Sequence, residues 1–365
     1  MESVQIDPQT GKEIPMKDGK PCRVCVDFKT WSKLEKTKIK TEKTSNVKEQ
    51  EGEKSNAEAR PIDNKPQKVT EEWKQNNCPA DVETLGRHTR GMFQASHDFF
   101  ALDDSIKSKY LMDIKRNAGW EKLAQIRPST GVADLKESIQ LSFHGIEDLW
   151  PTEQDAPTFR LTAERFMQQC DQVSKKLLTC LALGLGFEQD FFTQSHDITK
   201  SDCLNTLRCL HYHDITGQTF PPEYWRAGAH TDFDTLTLLL QRPGEDGLEV
   251  CPGREVSTEF GHGDSWTPVS PKENEIVCNI GDMLMRWSDD RFKSNYHRVR
   301  APKVGEYQGP RYSIAYFNQA NKSAIIQGRI RYPDPITADQ FIQQAMERNY
   351  RVLQELKAKQ QVTAA

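Results

Sequence analysis

After Leu204 the chain breaks into short apolar segments separated by Gly, Pro and Asp. The segments read LNTLRCLHY, AHTDFDTLTLLLQ, GLEV, SWTPV, NEIVCNIGDMLM, YHRVR and RYSIAYF. Runs of this length, bounded by turn residues, are typical of β-strands. Many short strands without intervening helices form sandwiches or barrels, because each sheet must bury one face against another layer. The pattern predicts a mainly β core over residues 203–322.

Helical periodicity flanks this core on both sides. Apolar residues recur at helical spacing over residues 163–181, and Gly184 and Gly186 follow as stop signals. The sequence TADQ, Thr337 to Gln340, has the form of a capping box and predicts the start of a final helix. We therefore expect helices that pack on the outside of a β core.

His230 and Asp232 lie in AHTDFDTLT, at the start of an apolar strand, and His297 follows in SNYHRVR. Residues i and i+2 of a strand point to the same face, so the His230 imidazole and the Asp232 carboxylate can approach one ion together. Two imidazoles and one carboxylate leave coordination positions open, as non-haem iron(II) oxygenases require. An isolated H-x-D triplet is also common without a metal, and a histidine at a strand end often has a structural role.

Arg311 and Ser313 share one face of the strand RYSIAYF, downstream of His297. A guanidinium fork matches a carboxylate in bidentate fashion, and a neighbouring hydroxyl supplies one more donor. This arrangement suits the distal carboxylate of a dicarboxylic co-substrate. The alternative is an ion pair on the strand face.

Several of these segments resemble, in order and approximate spacing, the isopenicillin N synthase-like family of 2-oxoglutarate/iron(II) oxygenases. The resemblance covers roughly residues 93–356 and includes DLKESI, LRCLHYHD, NIGDMLMRWSDDRFKSNYHRV and PRYSIAYF. It implies a double-stranded β-helix, or jelly-roll, core with packing helices in residues 93–365. It also implies an enzyme that uses Fe(II), with 2-oxoglutarate as co-substrate, and O2 to oxidise a small-molecule substrate by hydroxylation, desaturation or cyclisation, releasing succinate and CO2.

Residue by residue, the resemblance implies that His230, Asp232 and His297 bind iron and that Arg311 and Ser313 bind 2-oxoglutarate. Tyr212 matches a strand tyrosine that helps to bind the same co-substrate; a buried core aromatic is the alternative. His211 and His213 flank Tyr212 and should point to the opposite face, where they are structural or solvent-facing, or form a cupin-type metal pair. Asn279, Gly281 and Asp282 match a turn motif and are assigned to scaffolding.

The composition limits the kinds of binding partner and the cellular location that we expect. The formal net charge of -4 is small for 365 residues, so it gives no reason to expect nucleic acid or an anionic membrane. The N-terminus lacks the apolar core of a signal peptide, and no run approaches the roughly 20 apolar residues of a spanning helix. Several of the nine cysteines lie in apolar runs, which indicates buried thiols and a cytoplasmic protein. Nothing in the sequence specifies an oligomeric state.

The first ninety residues do not resemble the oxygenase family. Residues 1–33 contain a C-x-x-C pair, Cys22 and Cys25, and residues 34–77 form a Lys/Glu-rich stretch that we expect to be disordered. Residues 16–90 resemble FAD-linked sulfhydryl oxidases of the Erv/augmenter of liver regeneration type, with residues 78–92 as a partial start of the flavin-binding helix. The chain lacks the second, flavin-proximal C-x-x-C, so FAD is not expected.

Three alternatives stay open for this N-terminal region. Cys22 and Cys25 can be an inert pair, a thiol-redox module, or zinc ligands shared with a partner. If the oxidase-like N-terminus is a genuine targeting segment, it favours the mitochondrial intermembrane space. If the fusion is an artefact of gene prediction, the segment says nothing about localisation. The opening strands of the resembled oxygenases are not recognisable, which predicts an exposed edge of the main sheet and leaves open a truncated, non-catalytic oxygenase fold.

Overall fold

The computed structural model describes residues 82–218, 225–251, 265–303 and 305–348, residues 351 and 355, and three short strands nearer the N-terminus. The described strands are β1 (Val4–Ile6), β2 (Glu13–Pro15), β3 (Cys25–Asp27), β4 (Gly119–Lys122), β5 (Lys136–Ser142), β6 (Thr206–Tyr212), β7 (Ala227–His230), β8 (Leu236–Gln241), β9 (Leu248–Cys251), β10 (Thr267–Pro268), β11 (Glu275–Ile280), β12 (Tyr296–Val299), β13 (Arg311–Asn318), β14 (Ile325–Ile326) and β15 (Ile336–Thr337). The α-helices are α1 (Val82–Phe100), α2 (Asp104–Lys107), α3 (Phe159–Gly184), α4 (Asp282–Trp287) and a final helix, α5, over 338–348.

Two antiparallel sheets form the core. The larger sheet has the strand order β3-β11-β8-β13-β6-β5-β4, and the smaller has the order β10-β9-β12-β7. Apolar side chains from both sheets pack into one buried cluster that includes Tyr212, Ala227, Leu248 and Val299. The two sheets therefore face each other, and this is the double-stranded β-helix with packing helices that the sequence predicts.

The central strand β13 shows why the sequence folds this way. Its sequence RYSIAYFN is buried along almost its whole length because β6 and β8 pair on either side of it. Tyr312, Ile314 and Tyr316 belong to the large core cluster with α1 and α3. The alternating residues, beginning with Arg311 and Ser313, line a cavity between the sheets. One strand thus serves both the hydrophobic core and the functional side.

The predicted helix over residues 163–181 is confirmed within α3, whose buried face includes Ala163, Phe166, Cys170 and Val173. The capping box is also confirmed. The backbone N–H of Thr337 donates to Oε1 of Gln340, and the backbone N–H of Gln340 donates to Oγ1 of Thr337, at 3.0 and 3.1 Å. The local sequence signals are therefore sufficient to predict both helices.

Two features of the structure lie at the expected borders of the oxygenase region. The boundary expected near residue 92 falls inside α1, which runs without interruption and buries Leu85, Met92 and Phe99 in the same core. The large sheet also includes β4 and β5, which lie outside the expected core range of 203–322. In both places, apolar residues before 203 pack into the same core as the later strands.

The expectation that the large sheet has an exposed edge is wrong at β11. Here β3 pairs antiparallel with β11, with Val26 opposite Ile276. Residues 34–77 and Cys22 lie outside the described residues, and of Cys25 only the backbone placement in β3 is described. Within the described part of the chain, none of the helices has the length and apolar character to cross a membrane.

Candidate metal centre and co-substrate pocket

Three potential metal ligands meet between the two sheets. His297 in β12 lies directly opposite His230 at the end of β7, and Asp232 follows two residues later. Nε2 of His230 lies 3.9 Å from Oδ1 of Asp232, and Nε2 of His297 lies 3.6 Å from the same oxygen. Atoms that each lie ~2.1 Å from one ion are at most ~4.2 Å apart. The spacing therefore fits one metal ion bound by all three side chains.

The surroundings set the chemical form of the first histidine. Nδ1 of His230 lies 2.8 Å from the carbonyl oxygen of Gly228, so Nδ1 carries the proton and Nε2 presents its lone pair to the cluster. Burial, followed by the charge of Arg127 and the neighbouring His297, lowers the pKa of His230 well below its usual range. The imidazole is therefore neutral, which is the form that binds metals.

A short hydrogen-bond chain orients the carboxylate. The Thr237 hydroxyl lies 2.7 Å from Oδ2 of Asp232 and 2.8 Å from Oδ2 of Asp234. Burial, and then the charge of Asp232, raises the pKa of Asp234 well above its usual range. Thr237 has one hydroxyl proton for two carboxylates, and the raised pKa of Asp234 favours donation of that proton to Asp232. This chain holds Oδ2 of Asp232 and leaves Oδ1 facing the two imidazoles.

The turn before α4 fixes the same loop from behind. The backbone N–H of Asp282 donates to the carbonyl oxygen of Asp232 at 2.8 Å, and that of Met283 donates to Asp234 at 3.2 Å. A Cβ added at Gly281 would lie only 2.0 Å from the carbonyl oxygen of Asp234. The close approach requires glycine, which supports the scaffolding role expected for the NIGD turn.

Arg311 is buried at the other end of the cavity, with 1% of its surface exposed. Its Nε donates to the carbonyl oxygen of Glu245 at 3.0 Å, and one Nη donates to Oε1 of Gln241 at 2.7 Å. The other Nη lies 3.5 Å from Oγ of Ser313, and the guanidinium carbon sits 4.8 Å from the ring centre of Tyr212. Among the described residues, no carboxylate lies within ion-pair distance of Arg311, so the alternative of a strand-face ion pair finds no support.

A second buried guanidinium increases the positive charge at this end. Arg226 is 1% exposed, donates one bond to the carbonyl oxygen of Gly309 at 3.0 Å, and has no described hydrogen-bond partner for its Nε. Burial and then the charge of Arg311 lower the pKa of Arg226 to about 10. The buried Glu245 carboxylate acts on both guanidinium groups and compensates them only in part, because two cations face one anion. This end of the cavity is therefore suited to an anionic ligand.

One cavity of about 310 Å³ connects the two clusters. Its lining includes His230 and His297 from the smaller sheet, Asp232 from the segment after β7, and Tyr212 and Arg311 from the larger sheet. Such a volume is at the small end of ligand pockets. The structure thus brings together all six side chains that the sequence assigned to iron and 2-oxoglutarate.

The second histidine pair lies on the opposite face of β6, as expected. Nδ1 of His211 lies 2.8 Å from Oε1 of Glu137, and His213 completes a potential metal-binding group with them. Lys107 Nζ and Trp120 Nε1 donate to the other oxygen of Glu137, at 2.9 and 2.8 Å. Both carboxylate oxygens are therefore satisfied beside an ammonium group, which favours the structural interpretation over a cupin-type metal site.

Sequence reasoning missed several residues of the site. Asp234 follows Asp232 by two residues, and this D-x-D pattern was a usable signal. Arg226, Gln241 and Thr237 gave none, because their roles depend on burial next to residues far along the chain.

A family model described as the 2OG-Fe(II) oxygenase superfamily matches residues 205–320. A proline hydroxylase, buaE of Petromyces alliaceus, is 33% identical over 71% of this chain and 84% of its own. The 2-oxoglutarate-dependent dioxygenase htyE of Aspergillus rugulosus is 32% identical over the same shares of each chain. A crystal structure of a full-length Neurospora crassa protein in complex with alpha-KG matches 74% of this chain and 82% of that one, with TM-score 0.60 and 27% identity.

The fold and its cavity define an oxygenase, and the chain belongs to the 2OG-Fe(II) oxygenase superfamily. It is a 2-oxoglutarate-dependent dioxygenase with Fe(II) as its metal. None of these similarities supports the FAD-linked sulfhydryl oxidase resemblance of residues 16–90.

Proposed function

We propose that His230, Asp232 and His297 bind the iron, and that Arg311, with Ser313 and Tyr212, binds the distal carboxylate of 2-oxoglutarate. The observation that carries this proposal is the buried Arg311 guanidinium. It has no described carboxylate partner and lines the same cavity as the three potential metal ligands. A diacid that reaches from Arg311 to the metal would compensate its charge. The two nitrogens and one oxygen of the metal cluster suit iron(II).

The reaction we propose oxidises a small organic substrate at this centre. When bound, iron(II) supplies the activation of O2, coupled to oxidative decarboxylation of 2-oxoglutarate to succinate and CO2. One oxygen atom enters succinate, and in a hydroxylation the other enters the substrate. The hydroxylation named for the relative buaE makes this our first choice of outcome.

The protein groups position the reactants. Arg311 fixes the far end of 2-oxoglutarate, and the Thr237 hydroxyl keeps Asp232 oriented toward the metal.

We also propose a reducing, cytoplasmic location. It is supported by the free thiols of Cys170, Cys180, Cys203 and Cys209.

Succinate formation tests the proposal. Purified protein given ferrous ion, 2-oxoglutarate and air should release succinate and CO2, slowly even without an organic substrate. His297→Ala should abolish this release, whereas His213→Ala, which changes a histidine on the other face of β6, should retain most of it. Equal succinate formation by both variants would contradict the assignment of the metal ligands.

A further inference from the structure

The cavity wall contains a second group of basic residues, apart from Arg311. Alternate residues of β6 line the cavity, so Arg208 faces the same space as Tyr212. Arg208 and Tyr212 lie four residues apart on β6, ~13 Å between their Cα atoms, and the Tyr212 side chain is close enough to act on the charge of Arg208. Arg127 and Lys136 line the same cavity. The cavity therefore has a basic group around Arg208 in addition to the one around Arg311.

Arg208 is held firmly but is not fully satisfied. Its Nε donates to Oε1 of Gln140 at 2.6 Å, and its Nη1 donates to Oε1 of Glu121 at 3.2 Å. Gln140 is anchored in turn by donating to the carbonyl oxygen of Asn117 at 2.7 Å. Among the described residues Nη2 of Arg208 has no hydrogen-bond partner, and the side chain is 11% exposed. A preorganised donor is thus available to a ligand.

Arg127 brings a second guanidinium close to the metal cluster. Its Nε donates to Oδ2 of Asp134 at 3.0 Å, and its Nη2 donates to Oε1 of Gln125 at 3.2 Å. A Cβ on Gly228 would lie 3.1 Å from the stem of Arg127, so this arginine packs on β7 two residues before His230. Nη1 of Arg127 makes no hydrogen bond within the described part of the chain. This group adds positive potential between Arg208 and the metal.

The charges at this end do not cancel. The cations are Arg127, Lys136 and Arg208, and the carboxylates that contact them are Asp134 and Glu121. The described residues therefore leave one positive charge in excess within a largely buried wall. A low-dielectric cavity strengthens its attraction for an anion.

We propose that the organic substrate is a small carboxylic acid whose carboxylate is held by Arg208. This inference rests on the proposed function, because it assigns the Arg311 end of the cavity to 2-oxoglutarate. Phe317, Ile342 and Met346 line the cavity as well, and they provide apolar contacts for the carbon skeleton. The shared volume of about 310 Å³ restricts the acid to a small molecule.

Thermal stabilisation under anaerobic conditions tests this proposal without knowledge of the true substrate. The full chain is first saturated with ferrous ion and 2-oxoglutarate, and formation of their visible absorption band verifies the proposed function separately. The probes are matched pairs of small cyclic, aliphatic and aromatic acids with their primary amides, beginning with L-proline and L-prolinamide, and thymine serves as an uncharged comparison.

At least one acid should raise the melting temperature more than its amide does. Arg208→Gln should weaken binding of that acid by roughly 10- to 100-fold, as expected for loss of a charged hydrogen bond. Arg208→Lys should restore part of the binding, since it keeps the charge. Arg298→Gln is the matched control, because Arg298 is also a strand arginine bonded to one glutamate, Glu249, but does not line the cavity.

The proposal is overturned if amides or thymine stabilise the loaded protein as well as acids do, or if no acid stabilises it. Unchanged acid binding in Arg208→Gln would also overturn it. In each case an intact absorption band would leave the iron and 2-oxoglutarate assignments standing, so the two failures are distinguishable.

Discussion

Replacing Thr237 with valine separates metal-ligand orientation from general packing. Valine has nearly the same shape but removes the hydroxyl that lies 2.7 Å from Asp232 and 2.8 Å from Asp234. Asp232 then loses the donor that orients its second oxygen. Loss of such an outer partner typically costs 10- to 100-fold in metal affinity. We therefore expect Thr237→Val to weaken iron(II) binding by about 1.4 to 2.7 kcal/mol.

The same change should also lower the free energy of unfolding. Asp234 is 2% exposed, and its Oδ1 has no hydrogen-bond partner among the described residues. Without Thr237 its other oxygen loses its bond as well. A buried polar group left without a partner costs about 1 to 3 kcal/mol. Iron binding and stability should thus decrease together in this variant.

Thr235→Val is the matched control, since it removes a second buried hydroxyl from the same segment. Thr235 is 0% exposed, and its hydroxyl lies 3.0 Å from Nε2 of His196 and not beside the carboxylates. Anaerobic titration with ferrous ion against a fluorescent chelator measures the affinity, and chemical denaturation measures the stability. We expect both variants to be destabilised but only Thr237→Val to lose iron affinity. Equal iron affinities in the two variants would refute the orienting role of Thr237.

Three further predictions address other parts of the structure. Burial lowers the pKa of His196 to about 4, so its protonation favours the unfolded chain. The free energy of unfolding should therefore decrease as the pH falls from 6.5 toward 4, by about 2 kcal/mol between pH 6.5 and 5. Denaturation of His196→Gln should show a shallower pH dependence, and an equal slope would contradict this. Gly281→Ala should lower the free energy of unfolding by about 1 to 3 kcal/mol through its clash with Asp234, whereas Gly184→Ala, where a Cβ meets nothing within 4 Å, should be neutral or stabilising in the same denaturation experiment. Arg311→Lys keeps the charge but loses the fork, so the KM for 2-oxoglutarate in succinate formation should rise roughly 10- to 100-fold, and an unchanged KM would argue against the assigned pocket.

The sequence predicted most of the β core because its signals are local. The strands around Arg311 and His297 are short, apolar and bounded by turn residues. The expectation that His230 and Asp232 share one strand is wrong, because β7 ends at His230 and Asp232 lies in the segment that follows. The order of these motifs identified the family, which then implied the roles of Arg311 and Tyr212. The structure places these side chains in one cavity, and their assignment to iron and 2-oxoglutarate is the proposal made above.

Other features depended on contacts between distant segments. Arg226 becomes important only because folding places it beside Arg311, and Arg208 only because Glu121 and Gln140 hold it in the cavity wall. The continuous buried face of α1 also depends on such contacts, because Leu85, Met92 and Phe99 pack into a core formed by later segments.

The central claim is that His230, Asp232 and His297 bind one iron ion and that Arg311 grips the diacid chelating it. Anaerobic visible absorption of the protein with ferrous ion and 2-oxoglutarate measures this directly. We predict a charge-transfer band that requires both additions, is abolished by His297→Ala and needs higher 2-oxoglutarate concentrations in Arg311→Lys. A folded protein that gives no band, or the same band in both variants, would contradict the account.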